Sequence, residues 1–241
     1  MHVLKKTVKS LLDENFIYAR ALHYLGVDFF NYEEATLAEV CRERNIDHQR
    51  LVRSFYHFDT KSRIPFQEIR EYPLPLVVAY LKFAHQAYIK DSLPYIGRLL
   101  NQVDTTQTSL VDLIEVFPFF IEDYIKHIYQ EEDEVFGYIH MLQRIRKNGF
   151  KGAAIVLLNK KPSLQKMLTE HQSEDEMAPL RELVEEVKID SLLTDVIVKE
   201  IRAFDREILY HAAIENEILF PKAIALEGEI LKKVKELSAL N

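Results

Sequence analysis

Four histidines, His85, His127, His171 and His211, stand 42, 44 and 40 residues apart, each inside a long segment whose apolar residues follow helical spacing. This is the tightest constraint in the chain. The segments cover about 74–103, 110–147, a third from Ser163 to about 187, and a fourth from near Asp190. They are joined by short polar stretches, VDTTQTS (103–109), NGFKG (148–152) and KID (188–190), which favour antiparallel neighbours. The expected architecture is an up-down four-helix bundle over 74–241, in which near-equal spacing brings one histidine from each helix to a common level. A last amphipathic piece, GEILKKVKELSAL, follows Pro221 and Gly228.

The rest of the composition agrees with an all-α chain. Of 241 residues, 48% are hydrophobic and 29% charged, and only six are glycine, with no tryptophan to suggest a β-rich or loop-rich fold. Residues 1–57 read as a small helical N-terminal module: DENFIYARALHYLG closes on Gly26, Thr36 and Glu39 form a capping box, and a third helix follows Asp47. Residues 58–73 mix charge with proline and show no period, so they read as a linker.

A net charge of −7 argues against nucleic acid as a partner, since phosphate contacts need clustered cations. The single cysteine, Cys41, allows no internal disulfide and suits a reducing compartment. No apolar run approaches the length of a membrane span or the core of a signal peptide. The expectation is a cytoplasmic protein, monomer or homodimer, with no membrane partner.

Two stretches repeat one pattern. HIYQEEDEVF (127–136) and HAAIENEILF (211–220) both place Glu four residues after His (Glu131, Glu215) and Phe nine after it (Phe136, Phe220). Residues i and i+4 share a helix face, so each imidazole and carboxylate can reach one cation. Four neutral imidazoles and two carboxylates suit iron, manganese or zinc rather than calcium. Six donors are too many for one tetrahedral zinc. Two six-coordinate ions fit better, with Glu131 and Glu215 bridging and each histidine binding one ion. That leaves room for an oxo or hydroxo bridge and a small exogenous ligand, so a di-iron pair is the best chemical match. Phe136 and Phe220 either wall the site or simply pack the core, and Tyr124, one turn before His127, either lines the pocket or points its hydroxyl to water. Glu132 and Glu134 are expected to be solvated, and His23, His48, His57 and His140 to be surface or capping residues.

These motifs resemble those of a known family. HIYQEEDEVF and HAAIENEILFPKA are similar to the second- and fourth-helix motifs of hemerythrin-like di-iron proteins. They are nearest to the branch of iron–sulfur cluster repair proteins, whose last motif has the form H-x3-E-N-x-[IV]-L-F-P-[KR]-A. TEHQSEDE, with His171, resembles that branch's third-helix motif, and LGVDFFNYEEATLAEVCRERNID is similar to the small domain preceding the bundle. The resemblance implies a non-haem di-iron centre on His127, Glu131, His171, His211 and Glu215. It further implies a small diatomic or oxygen-derived ligand (NO, O2 or peroxide), or delivery of iron to iron–sulfur proteins. Two positions depart from the pattern. Where the family carries adjacent cysteines after an Asp, this chain has Phe30 and Asn31 after Asp28. The first-helix ligand, counted back eight residues from Pro94, falls on Gln86 rather than His85, unless a π-bulge restores the register. Two other readings stay open: a sensor or iron-binding module without turnover, and a metal-free helical interaction protein.

Overall fold

A computed structural model of the chain describes residues 3–59, 64–104, 109–149, 158, 162–173 and 175–238. The fold is an all-α helical bundle, and among the described residues the one piece of β geometry is an isolated antiparallel bridge between Thr7 and Thr36. The expected joints at 103–109 and 148–152 fall partly outside the described residues, as do 60–63 of the expected linker.

The N-terminal helices are α1 (Val8–Glu14), α2 (Tyr18–Tyr24), α3 (Leu37–Glu43) and α4 (His48–Asp59). Their ends follow from local chemistry. Thr7 caps α1 by accepting from Ser10 N, and Thr36 and Glu39 form the reciprocal capping box of α3. After α2 the chain turns through Gly26 at φ +77°, with Gly26 N donating to His23 O and Val27 N to Leu22 O, both at 2.9 Å. This paired 5→2 and 6→1 arrangement requires a left-handed residue, which glycine adopts without steric cost.

The remaining helices are α5 (Phe66–Glu71), α6 (Leu74–Ala87), α7 (Leu93–Leu100), α8 (Val111–Glu131), α9 (Gly137–Asn148), α10 (Leu164–His171), α11 (Ala178–Glu186), α12 (Leu192–Ile214) and α13 (Phe220–Ser238). Three single π turns, Tyr88–Ser92, Glu132–Phe136 and Glu215–Leu219, join α6 to α7, α8 to α9 and α12 to α13. Two of them end two residues before a proline, Pro94 and Pro221. Proline has no N–H to return to the preceding turn, and a widened turn is one way a helix runs on past it.

Three expectations need correction. The third long helix is broken: α10 ends at His171 and α11 begins at Ala178. The last amphipathic piece is not separate, since α13 runs from Phe220 past Gly228 to Ser238. The linker contains a helix, α5, entered from Pro65, whose fixed φ suits the residue before a first turn.

By contacts the chain groups into two compact units. The first comprises Met1–Ile64, Leu93–Phe117 and Leu180–Asp205. Its core includes Leu11, Leu12, Leu22, Leu37, Leu51 and Phe204, all buried, and Tyr18 stacks on Phe55 at 4.5 Å. Cys41 is buried here as a free thiol, its pKa pushed up by that burial and then by Asp47, which suits packing rather than reactivity. His23, expected at the surface, is half-buried against the ring of Tyr95; His48, His57 and His140 are exposed.

The strongest polar contact of this unit is Arg20 on α2 with Glu200 on α12. Arg20 Nε donates to Glu200 Oε2 at 2.9 Å and Nη2 donates to the same oxygen at 2.5 Å. Burial pushes the Glu200 carboxyl up while Arg20 pulls it back down.

The second unit comprises Pro65–Ser92, Pro118–Pro179 and Arg206–Asn241, and it carries all four histidines of the opening pattern. Glu227 on α13 is buried, accepting from Tyr138 Oη at 2.7 Å and from Leu164 N at 3.3 Å. An anionic acceptor at a helix start meets the unpaired N–H groups there and fixes where α10 begins.

Removing one partner of a buried ion pair strands the other. Arg20→Ala should therefore destabilise the protein by about 3 kcal/mol in chemical denaturation. The paired apolar change Arg20→Met with Glu200→Leu should recover most of that loss.

Candidate metal centre

Each donor stands where the helix turn places it. His85 lies near the end of α6, His127 and Glu131 close α8, His171 ends α10, and His211 and Glu215 straddle the end of α12. The π turn at Tyr88–Ser92 falls between His85 and Pro94 and changes the count back from that proline by one residue, about 100° of helix. His85 is buried, whereas Gln86 is exposed.

Four of the six predicted donors form an inner group. His85, Glu131, His211 and Glu215 each offer a ligand atom, and these atoms all lie within 4.8 Å of one another. His85 Nε2 is 2.9 Å from His211 Nε2 and 3.4 Å from Glu131 Oε2. His211 Nε2 is 2.8 Å from Glu215 Oε1. All four residues are buried. The other two histidines continue the group outward. His171 Nε2 is 3.1 Å from Glu215 Oε2, and the rings of His127 and His171 lie 6.2 Å apart. All six side chains line one cavity of about 60 Å³, together with Tyr124, Gln172, Glu176 and Asn216. That volume admits a few water-sized bodies.

The Nδ1 atoms of His85 and His171 are held from behind. His85 Nδ1 is 3.1 Å from Glu132 Oε1, and Glu132 is itself paired with Lys82 Nζ at 2.8 Å. His171 Nδ1 is 3.2 Å from Asn216 Oδ1. With Nδ1 engaged at the back, Nε2 of each ring faces the cavity, where it also meets a carboxylate oxygen: Glu131 Oε2 at 3.4 Å for His85 and Glu215 Oε2 at 3.1 Å for His171. Both rings also meet a phenylalanine: Phe136 lies parallel to His85 at 5.7 Å and 7°, and Phe220 packs tilted, at 55°, against His171 at 5.6 Å.

These contacts explain the repeated motif. In both copies, the residue after the glutamate (Glu132, Asn216) holds the Nδ1 of a histidine from another helix. The phenylalanine five places after the glutamate packs against that same ring, Phe136 stacked on His85 and Phe220 tilted by 55° against His171. Glu132 is thus not solvated, contrary to expectation; Glu134 is exposed. Tyr124 is buried, stacked on His127 at 6.2 Å, and burial drives its hydroxyl pKa well above the ordinary value. The sequence reading missed Glu132, Asn216 and Glu176. The first two carry a signal in retrospect, a polar residue directly after each glutamate. Glu176 carries none, because it lies in the unforeseen break between α10 and α11.

The residues fit a cation. Glu131 Oε1, Glu215 Oε1 and His211 Nδ1 are buried without a hydrogen-bond partner among the described residues. Glu215 Oε1 is close to His211 Nε2, yet the pair is not aligned as a hydrogen bond. Unpaired buried carboxylate oxygens are costly, and lone pairs converging on one cavity are what a metal ion satisfies. Without a cation, burial and then the charge of Glu215 raise the Glu131 carboxyl far above its usual range. Burial alone would also raise Glu215, but His211 and His171 hold it well below. Burial and then His211 lower the His85 pKa to about 4. Buried His85, Glu131, His211 and Glu215 could therefore bind a metal ion.

The signs of these shifts set the stability of metal-free protein. His85 has a folded pKa of about 4 against an ordinary 6.5, so the unfolded chain takes up its proton first as pH falls. Stability should be intact above pH 6.5 and drop by about 3 kcal/mol towards pH 4, seen as a falling denaturation midpoint that His85→Gln flattens. Glu131 works the other way: with a raised folded pKa, its contribution is present at low pH and lost as pH rises. Glu131→Gln should therefore raise the melting temperature of metal-free protein at alkaline pH, measured by calorimetry.

No protein-family profile matches this chain, and no curated protein is significantly similar to it, so the site is read from its own side chains.

Proposed function

We propose that the protein is a non-haem di-iron protein of the hemerythrin-like, iron–sulfur cluster repair type. In this reading it binds or reacts with a small diatomic or oxygen-derived ligand, or delivers iron to damaged clusters. The observation that carries the reading is the set of six donors on one cavity: four imidazoles and two buried carboxylates from separate helical segments. The motif resemblance supports iron over other divalent ions, and the donor set, mixed nitrogen and oxygen, suits it.

His85, His211, Glu131 and Glu215 would hold the inner ion, and His127 and His171 the outer one, with the two carboxylates shared. An iron pair so held supplies redox chemistry and open coordination for a ligand such as NO or dioxygen. The protein's own part is positional. Glu132 and Asn216 hold the rings of His85 and His171 by Nδ1, so that Nε2 of each faces the cavity where an ion would sit. Phe136, Phe220 and Ile128 exclude water from the inner wall, which strengthens every charge interaction inside. Burial and Glu215 favour the protonated form of Glu131, and an ion would favour the charged form, so uptake should be accompanied by proton release. The buried, unpaired carboxylate oxygens speak against a metal-free interaction bundle.

Protein purified from iron-replete cells should carry about two irons per chain by elemental analysis, as two six-coordinate ions require. Glu131→Ala and Glu215→Ala should each empty the site. Wild-type protein devoid of metal, or either variant retaining its full complement, would remove this reading. An absorption band that bleaches reversibly would favour sensing, and irreversible oxidation with iron release would favour repair.

A further inference from the structure

Glu176 lies in the turn between α10 and α11, and its Oε1 is 3.3 Å from His127 Nε2. Three imidazoles face a carboxylate oxygen of Glu131 or Glu215: His85 at 3.4 Å, His171 at 3.1 Å and His211 at 2.8 Å. At His127 the corresponding oxygen comes from Glu176. Adjacent donors on a six-coordinate ion with bonds of about 2.1 Å lie about 3 Å apart, so the His127–Glu176 separation belongs to the same series. Glu176 also lines the cavity that all six donors share.

Charge and exposure point the same way. With neutral imidazoles, Glu131 and Glu215 offset only half the charge of two divalent ions, and uncompensated charge in a poorly solvated cavity is costly. A third carboxylate at the outer end reduces that excess. The side chains of His127 and Glu176 are both 25% exposed, while those of the inner donors His85 and Glu131 are 1% and 4% exposed. Glu176 therefore stands at the solvent side of the cavity, where an incoming ligand would arrive.

We propose that Glu176 is a seventh protein donor, which completes the outer ion on His127 and His171 and occupies the coordination position that an exogenous ligand must take. This rests on the reading that the cavity holds a metal pair. Glu176 then sets both how firmly the outer ion is kept and how readily a small anion gains access.

Cobalt(II) titration followed by visible absorption, with azide as the probe ligand, tests this on the full chain. Wild type should take up about two cobalt ions. Glu176→Ala should keep the first affinity, weaken the second by roughly tenfold or more, and bind azide correspondingly more tightly. Glu176→Gln, of the same size but a poorer donor, should behave like Glu176→Ala, whereas Glu176→Asp should restore part of the second affinity. Unchanged second-site affinity and azide binding in both Glu176→Ala and Glu176→Gln would overturn the proposal and leave the metal pair standing. A wild-type protein that takes up no cobalt would overturn both.

Discussion

The second unit depends on two carboxylates, Glu131 and Glu215, buried side by side with imidazole lone pairs directed at them. Like charges this close in a poor dielectric cannot both stay ionised and unpartnered. Without a cation, burial and Glu215 favour the protonated form of Glu131, while the neighbouring histidines favour the charged form of Glu215. A cation removes the conflict. The same groups that weaken the empty fold are thus the ones that would bind an ion, and binding energy would then become folding energy.

The contacts around this pair are built twice from one recipe. His and Glu share a face, the next residue grips an imidazole from another helix, and a phenylalanine one turn on packs against that imidazole. The two copies are not identical. Glu132 is an anion paired with Lys82, whereas Asn216 is neutral, so His85 and His171 sit in different fields although they play the same geometric part.

Much of this was legible in the sequence. Helical periodicity marked the long segments, Gly26 and the Thr36–Glu39 box marked local ends, and the regular spacing of His85, His127, His171 and His211 marked side chains that share one cavity. What escaped did so for physical reasons. The break after His171 lies in a polar, acidic stretch that reads equally well as exposed helix, and Glu176 was hidden with it. Pro221 suggested an end, but a widened turn ahead of it lets the helix continue. Glu132 looked like one acid among several because its partner lies on another helix, 47 positions away.

The pairing of Glu131 with Glu132, and of Glu215 with Asn216, has a mechanical side. In each pair, neighbouring residues on one turn hold two different objects: the first reaches the cavity, and the second reaches the back of a ring on another helix. A turn that tilts to move its carboxylate must drag that distant ring with it. The cavity walls are therefore tied in two interlocked pairs rather than built from six independent side chains, so that a shift of either turn would reach a ring on another helix.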